Sequence, residues 1–114
     1  MRSEDNLQAE FWRVVWNKYP QLRHHIWAVP NGGLRDSITA AKMKATGQLA
    51  GVWDLHVFYK GKFFIIETKV GRNGLTDKQI SWRDKMVAHG AKSYVYRTIQ
   101  EGILIIEDVL KETE

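Results

Sequence analysis

Residues 51–69, Gly-Val-Trp-Asp-Leu-His-Val-Phe-Tyr-Lys-Gly-Lys-Phe-Phe-Ile-Ile-Glu-Thr-Lys, constrain the fold more than any other stretch. Two runs rich in β-branched and aromatic residues flank Lys60-Gly61, which is the signature of a β-hairpin, although Lys-Gly is a weaker turn pair than Asn-Gly. A two-residue loop pairs Tyr59 with Lys62 and Phe58 with Phe63. Counting back, it sets Asp54 opposite Glu67. Trp53, Leu55 and Val57 then share one face with Phe64 and Ile66. Phe58, Phe63 and Ile65 share the other with the two acids. Strands apolar on both faces are central, covered strands. Directly opposed side chains have Cβ atoms about 5 Å apart, and like charges at that spacing repel. Two carboxylates at the end of a buried hairpin therefore require a shared proton or a cation.

The 114 residues suffice for one domain with one core, expected to span 1–114. A charged fraction of 26% with 44% hydrophobic residues is globular composition and argues against disorder. No apolar run is long enough to cross a bilayer, and the N-terminal residues lack the apolar centre of a signal peptide, so a cytoplasmic protein without membrane partners is expected. Cys is absent, which excludes disulfides and thiolate chemistry. The net charge of +4 permits a polyanionic partner without requiring one. Five tryptophans are many for this length. Stacking on bases is open to them, but core packing is the more ordinary use.

Along the chain, Leu7, Phe11, Val14 and Val15 recur at helical spacing from Asp5 until Pro20 stops the pattern. Glu10 sits beside that apolar stripe. His25 to Val29 reads as a short strand, broken by Pro30-Asn31-Gly32-Gly33. Asp36 caps a second helix to Thr46, with Ile38, Ala41 and Ala45 on its apolar face and Arg35, Lys42 and Lys44 making the segment basic. After the hairpin and a basic loop containing Arg72, Thr76-Asp77-Lys78-Gln79 fits a capping box opening a helix to about His89, expected to pack through Ile80, Met86 and Val87, with Trp82 or Arg83 at the edge. Ser93 to Tyr96 completes a β-α-β unit, which makes it parallel to the second hairpin strand. Thr98 to Glu101 repeats the capping-box pattern, and residues 98–112 fit either a helix or a strand. The order α, β, α, β, β, α, β, α describes an α/β domain with a mixed sheet between helices.

Glu67 and Lys69 lie two apart and so point to one face, which the register shares with Asp54. A plain salt bridge is the modest interpretation. The chemical one is a Mg2+ or Mn2+ site, since hard divalent cations take one or two carboxylates, with the Thr68 carbonyl as a further ligand and waters or phosphate completing the shell. A cation held there would activate water and neutralise a phosphoryl oxygen, with Lys69 orienting or deprotonating the water. His24, His25, His56 and His89 lack metal-ligand spacing. No phosphate-binding glycine loop is present, so no nucleotide cofactor is expected.

Gly51-x-x-Asp54-Leu55, Ile66-Glu67-x-Lys69 and Leu75-Thr76-x-x-Gln79 together resemble the VRR-NUC family of the PD-(D/E)XK nuclease superfamily. Val29–Gly33, Ala40–Gly47, Gly90 and Tyr94–Arg97 are similar as well, so the likeness runs from about Glu10 to Arg97. It implies a restriction-endonuclease-like core and Mg2+- or Mn2+-dependent hydrolysis of DNA phosphodiester bonds. Carried onto this sequence, it makes Asp54 and Glu67 metal ligands and Lys69 the motif lysine. Glu10 becomes the first-helix acid, reaching the metal directly or through water, and Gln79 the motif glutamine. It also implies a homodimer acting on branched DNA such as Holliday junctions. Asn31, Arg35, Lys42, Lys44 and Arg72 are the candidate DNA contacts. The family usually carries Pro before the aspartate where this chain has Trp53. The alternatives are a non-catalytic nucleic-acid-binding module of the same fold and a protein with a structural ion cluster.

Overall fold

The Lys60-Gly61 turn sets the register of the whole sheet. Lys60 and Gly61 take φ of 50° and 79°, the left-handed pair that a two-residue hairpin needs to match strand twist. β2 (Leu55–Tyr59) and β3 (Lys62–Thr68) pair antiparallel with Tyr59 opposite Lys62 and Leu55 opposite Ile66. The computed structural model describes residues 2–30 and 36–114. β1 (Ile26–Ala28) adds antiparallel to β2, and β4 (Lys92–Tyr96) adds parallel to β3, so the order is β1-β2-β3-β4 and the hairpin is central.

The helices are α1 (Glu4–Lys18), α2 (Ser37–Ala45), α3 (Asp77–Ala88) and α4 (Ile99–Glu112), with a short 3-10 turn at Pro20–Leu22. Leu55, Val57, Phe64, Ile66 and Tyr96 turn one sheet face towards Leu7, Phe11 and Val15 of α1 and Ile105, Ile106 and Val109 of α4. Phe11 and Tyr96 are both fully buried with ring centroids 4.4 Å apart. Residues 98–112 resolve as a helix because Gly102, Ile105, Ile106 and Val109 fall on one helical stripe. Thr98 caps it by accepting from the Glu101 N–H. The expected reciprocal bond is not made: the Glu101 carboxylate takes the Arg97 N–H instead.

α3 covers the other face, with its apolar residues less buried than expected. None of its side chains is fully buried, and Val87 is 45% exposed. Its hold on the sheet is Trp82, which stacks on His56 with centroids 5.3 Å apart and planes at 14°. α2 departs further. Asp36 caps it as expected, yet none of its residues is buried and Ile38 is 74% exposed, so its apolar face has no core to meet.

Gly102 marks where α4 meets α1, because a Cβ there would lie 2.7 Å from two ring carbons of Phe11. Gly102→Ala must displace a buried ring and should cost ~1–3 kcal/mol. That lowers the melting temperature by several degrees, whereas Gly74→Ala, with nothing within 4 Å, should melt like the parent.

Candidate metal and nucleic-acid site

The end of the hairpin holds its two acids by reciprocal hydrogen bonds. The Asp54 N–H donates to Glu67 Oε1 at 3.0 Å, and the Thr68 N–H donates to Asp54 Oδ2 at 3.1 Å. The register that predicts the opposition of these residues is thus observed, although β2 begins one residue later. Val29 donates to the Asp54 carbonyl at 2.8 Å, which ties the end of β1 to the same corner. Among the described residues the acidic cluster is Glu4, Asp54 and Glu67, whose oxygens lie within 4.8 Å of one another.

Glu4, not Glu10, is the first-helix acid in that cluster. Glu10 pairs with Arg2 instead. Six residues of α-helix rotate the side chain by about 240° and advance it by ~9 Å, so the two glutamates cannot serve one point. Glu4 was legible in principle: with Leu7, Phe11 and Val15 it forms the N-terminal end of the buried stripe. Asn73 of the loop after β3 donates to Glu4 at 3.5 Å.

Lys69 is buried, with Nζ 3.6 Å from Glu67 Oε2. Thr68 turns its N–H towards Asp54, and in an extended strand the carbonyl of a residue lies along the same edge as its N–H. The Thr68 hydroxyl, on the sheet face opposite Glu67, meets the Tyr96 hydroxyl at 2.7 Å and the Gln8 amide oxygen at 3.3 Å. Gln79 does two jobs with one amide. Its oxygen accepts from the Thr76 N–H at 3.0 Å, completing the capping box, and its nitrogen donates to Glu67 Oε2 at 2.8 Å.

Trp53 is 1% exposed but does not belong to the main core cluster. It precedes β2, so strand alternation does not govern it. Its indole N–H donates to the Gln79 carbonyl at 3.0 Å. Gly51, at φ +90°, lets the chain pass so close to α3 that a Cβ would meet the Lys78 carbonyl at 2.4 Å. Gly51 and Trp53 together therefore seat the first turn of α3, and with it the amide that holds Glu67.

Burial, and then the neighbouring Asp54 charge, push the Glu67 carboxyl up to about 7, against opposing help from the Asp54 N–H and Lys69. The pair does not hold two full negative charges comfortably. His56 is enclosed by Trp27, Phe63 and Trp82, and its Nε2 is buried with no hydrogen-bond partner among the described residues. Burial pushes its pKa down, so it stays neutral and packed and is not a ligand of the acidic cluster.

A cleft of about 790 Å³ opens over the acids, lined by Glu4, Asp54, Glu67 and Gln79 and, from α2, by Lys44. Lys42 is exposed on α2 and Arg72 is exposed in the loop after β3. Asn31 and Arg35 lie outside the described residues. Three carboxylates, a buried lysine and a basic rim suit a divalent cation with a phosphate above it.

The fold is a mixed α/β sheet with its acids at the open end of the central hairpin, and it is shared with a solved VRR_NUC domain protein. A solved structure described as a "VRR_NUC domain protein" superimposes with a TM-score of 0.75 at 24% identity, covering 96% of this chain and 89% of that one. At this identity the likeness speaks to the fold. No protein-family model and no curated protein matches the sequence.

Two outcomes follow from this geometry. Trp53→Phe keeps the ring and removes the donor, so it should loosen Gln79 and weaken divalent-cation binding ~10-fold, which calorimetric titration reads. In metal-free protein, a Glu67 carboxyl raised from 4.5 to about 7 favours the fold below pH 4.5. That contribution is lost as pH rises to 7, by at most about 3 kcal/mol. Melting temperature should fall between about pH 5 and pH 8, and Glu67→Gln should flatten that fall.

Proposed function

We propose that this chain, acting as one nuclease domain over residues 1–114, is a divalent-metal-dependent endodeoxyribonuclease. The observation that carries the reading is the meeting of Glu4, Asp54 and Glu67 within 4.8 Å, beside Lys69, in a chain with a VRR-NUC fold. Asp54, Glu67 and the Thr68 carbonyl would hold Mg2+ or Mn2+, with Glu4 joining from α1 in the place that the family resemblance gives to Glu10. The cation supplies charge neutralisation at the phosphate and a more acidic water.

The chain's own residues do the rest. Gln79 fixes the orientation of Glu67, so the carboxylate is set before substrate arrives. Lys69 stands on the same face, its ammonium placed to orient the attacking water and to stabilise the charge that develops on the phosphate. The water oxygen bonds to phosphorus and gives its proton to solvent, while the bond from phosphorus to the departing sugar oxygen breaks and that oxygen takes up a proton from solvent. Lys44 on the cleft rim and the exposed Lys42 and Arg72 are positioned for neighbouring phosphates. Branched DNA such as a Holliday junction, cut by a homodimer, is the substrate we favour. A two-fold axis matches two catalytic sites to two strands. A cytoplasmic setting fits: no described helix is long and apolar enough to cross a membrane.

A labelled panel of linear, nicked, flapped and four-way DNA, incubated with and without Mg2+ or Mn2+, tests the reading. Wild-type protein should cut only with metal and favour the branched substrates. Asp54→Ala and Glu67→Ala should lose ~100-fold or more. Glu4→Gln should lose ~10-fold while Glu10→Gln cuts like the parent. Equal cutting by wild type and Glu67→Ala would place the chemistry elsewhere.

A further inference from the structure

Of the five tryptophans only Trp53 is fully buried. Trp27 is 39% exposed, and Trp12 and Trp16 are half-buried. Trp12 and Trp16 stand one turn apart on α1 and stack, with centroids 5.7 Å apart and planes at 26°. The Arg23 guanidinium lies over the Trp16 ring at 5.2 Å, anchored by its Nε–H on the Trp16 carbonyl at 2.8 Å. Trp12 and Trp27 both line a groove of about 530 Å³, together with Gln8, Arg13 and Ala28.

This groove adjoins the acidic cleft: Asp5 lines both and is the one acid in the groove among the described residues. Gln8 accepts from the Thr68 hydroxyl, and Val29, next to Ala28, donates to the Asp54 carbonyl. At its far end Trp12 and Arg13 also line a smaller depression of about 240 Å³ with Trp16 and Asn17. The path along α1 from Glu4 to Asn17 is ~20 Å long, at 1.5 Å per residue. Stacked nucleotides advance ~3.4 Å each and an unpaired strand no less, so it spans at most about six.

We propose that the groove of Trp12 and Trp27, with Trp16 backing Trp12 at its far end, stacks the unpaired bases of a nucleic-acid strand that continues from the phosphate in the acidic cleft. The proposal rests on the nuclease reading for the strand's position. Aromatic faces beside arginines are the ordinary means of holding single strands, because every base has a π-face and every phosphate a charge. A duplex offers its phosphates but hides those faces. A second copy of this chain carries the same net charge of +4 and is the poorer match for Arg13 and Arg23. The groove therefore selects substrates with unpaired nucleotides beside the cut: gaps, flaps or open junction arms.

The test is binding in chelator, so that no strand is cut, of a short oligothymidylate and of a blunt duplex of equal length. The single strand should quench the intrinsic tryptophan emission and the duplex should not. Trp27→Ala should weaken single-strand binding ~10-fold and leave duplex binding as it was. Trp27→Leu, which keeps the wall apolar and removes the ring, should behave alike and guards against a folding defect in the alanine variant. Absence of quenching, or single-strand affinity unchanged in both variants, overturns the proposal. So does a wild-type dimer that Trp27→Ala dissociates with oligothymidylate affinity unchanged, for the groove is then an interface between copies. Protein that is quenched but never cuts DNA sinks the nuclease reading and leaves the groove; protein that cuts without quenching does the reverse.

Discussion

Two backbone N–H groups at the end of one hairpin hold the candidate site together. Asp54 donates to Glu67, and Thr68 donates back to Asp54. Each acid is fixed by the other's strand, so neither can relax away from the repulsion that their proximity creates. Everything nearby answers that tension. Lys69 supplies a buried positive charge, Gln79 a neutral donor and α1 a third carboxylate that only a cation would make welcome. A pair placed for stability alone would be better served by one acid and one lysine.

How the surrounding elements are seated explains why the corner is rigid. β1 reaches the Asp54 carbonyl through Val29, and α3 is locked from beneath by Trp53 and from the side by the close passage of Gly51. Neither device uses apolar bulk alone. The main core lies on the opposite sheet face, between α1 and α4, so the fold draws its cohesion there and leaves the acidic end free for polar arrangement.

What the sequence disclosed follows the range of the forces involved. The hairpin register was legible because a two-residue turn and strict alternation propagate without error along a short ladder, which carried Asp54 to Glu67. Gln79 was legible because a capping box is local. Glu4 was missed because the tilt of a helix against a sheet is set by long-range packing, and one apolar stripe admits acids at either end. α2 and α3 were expected to bury their apolar residues, since periodicity reports an available face and says nothing of whether a partner exists for it. Trp53 was read by alternation at a point where the strand had not yet begun. Composition favours the core for the tryptophans of α1 and β1 because it is blind to position.

α2 carries a consequence of its own. A helix that buries none of its side chains contributes little to the cooperativity of folding, so most substitutions along it are close to neutral for the fold. Yet Ala40 and Lys44 border the cleft. Selection can therefore rewrite this segment freely while the acidic corner stays fixed. Descendants of such a chain would diversify in what borders the cleft long before they altered the acids beneath it.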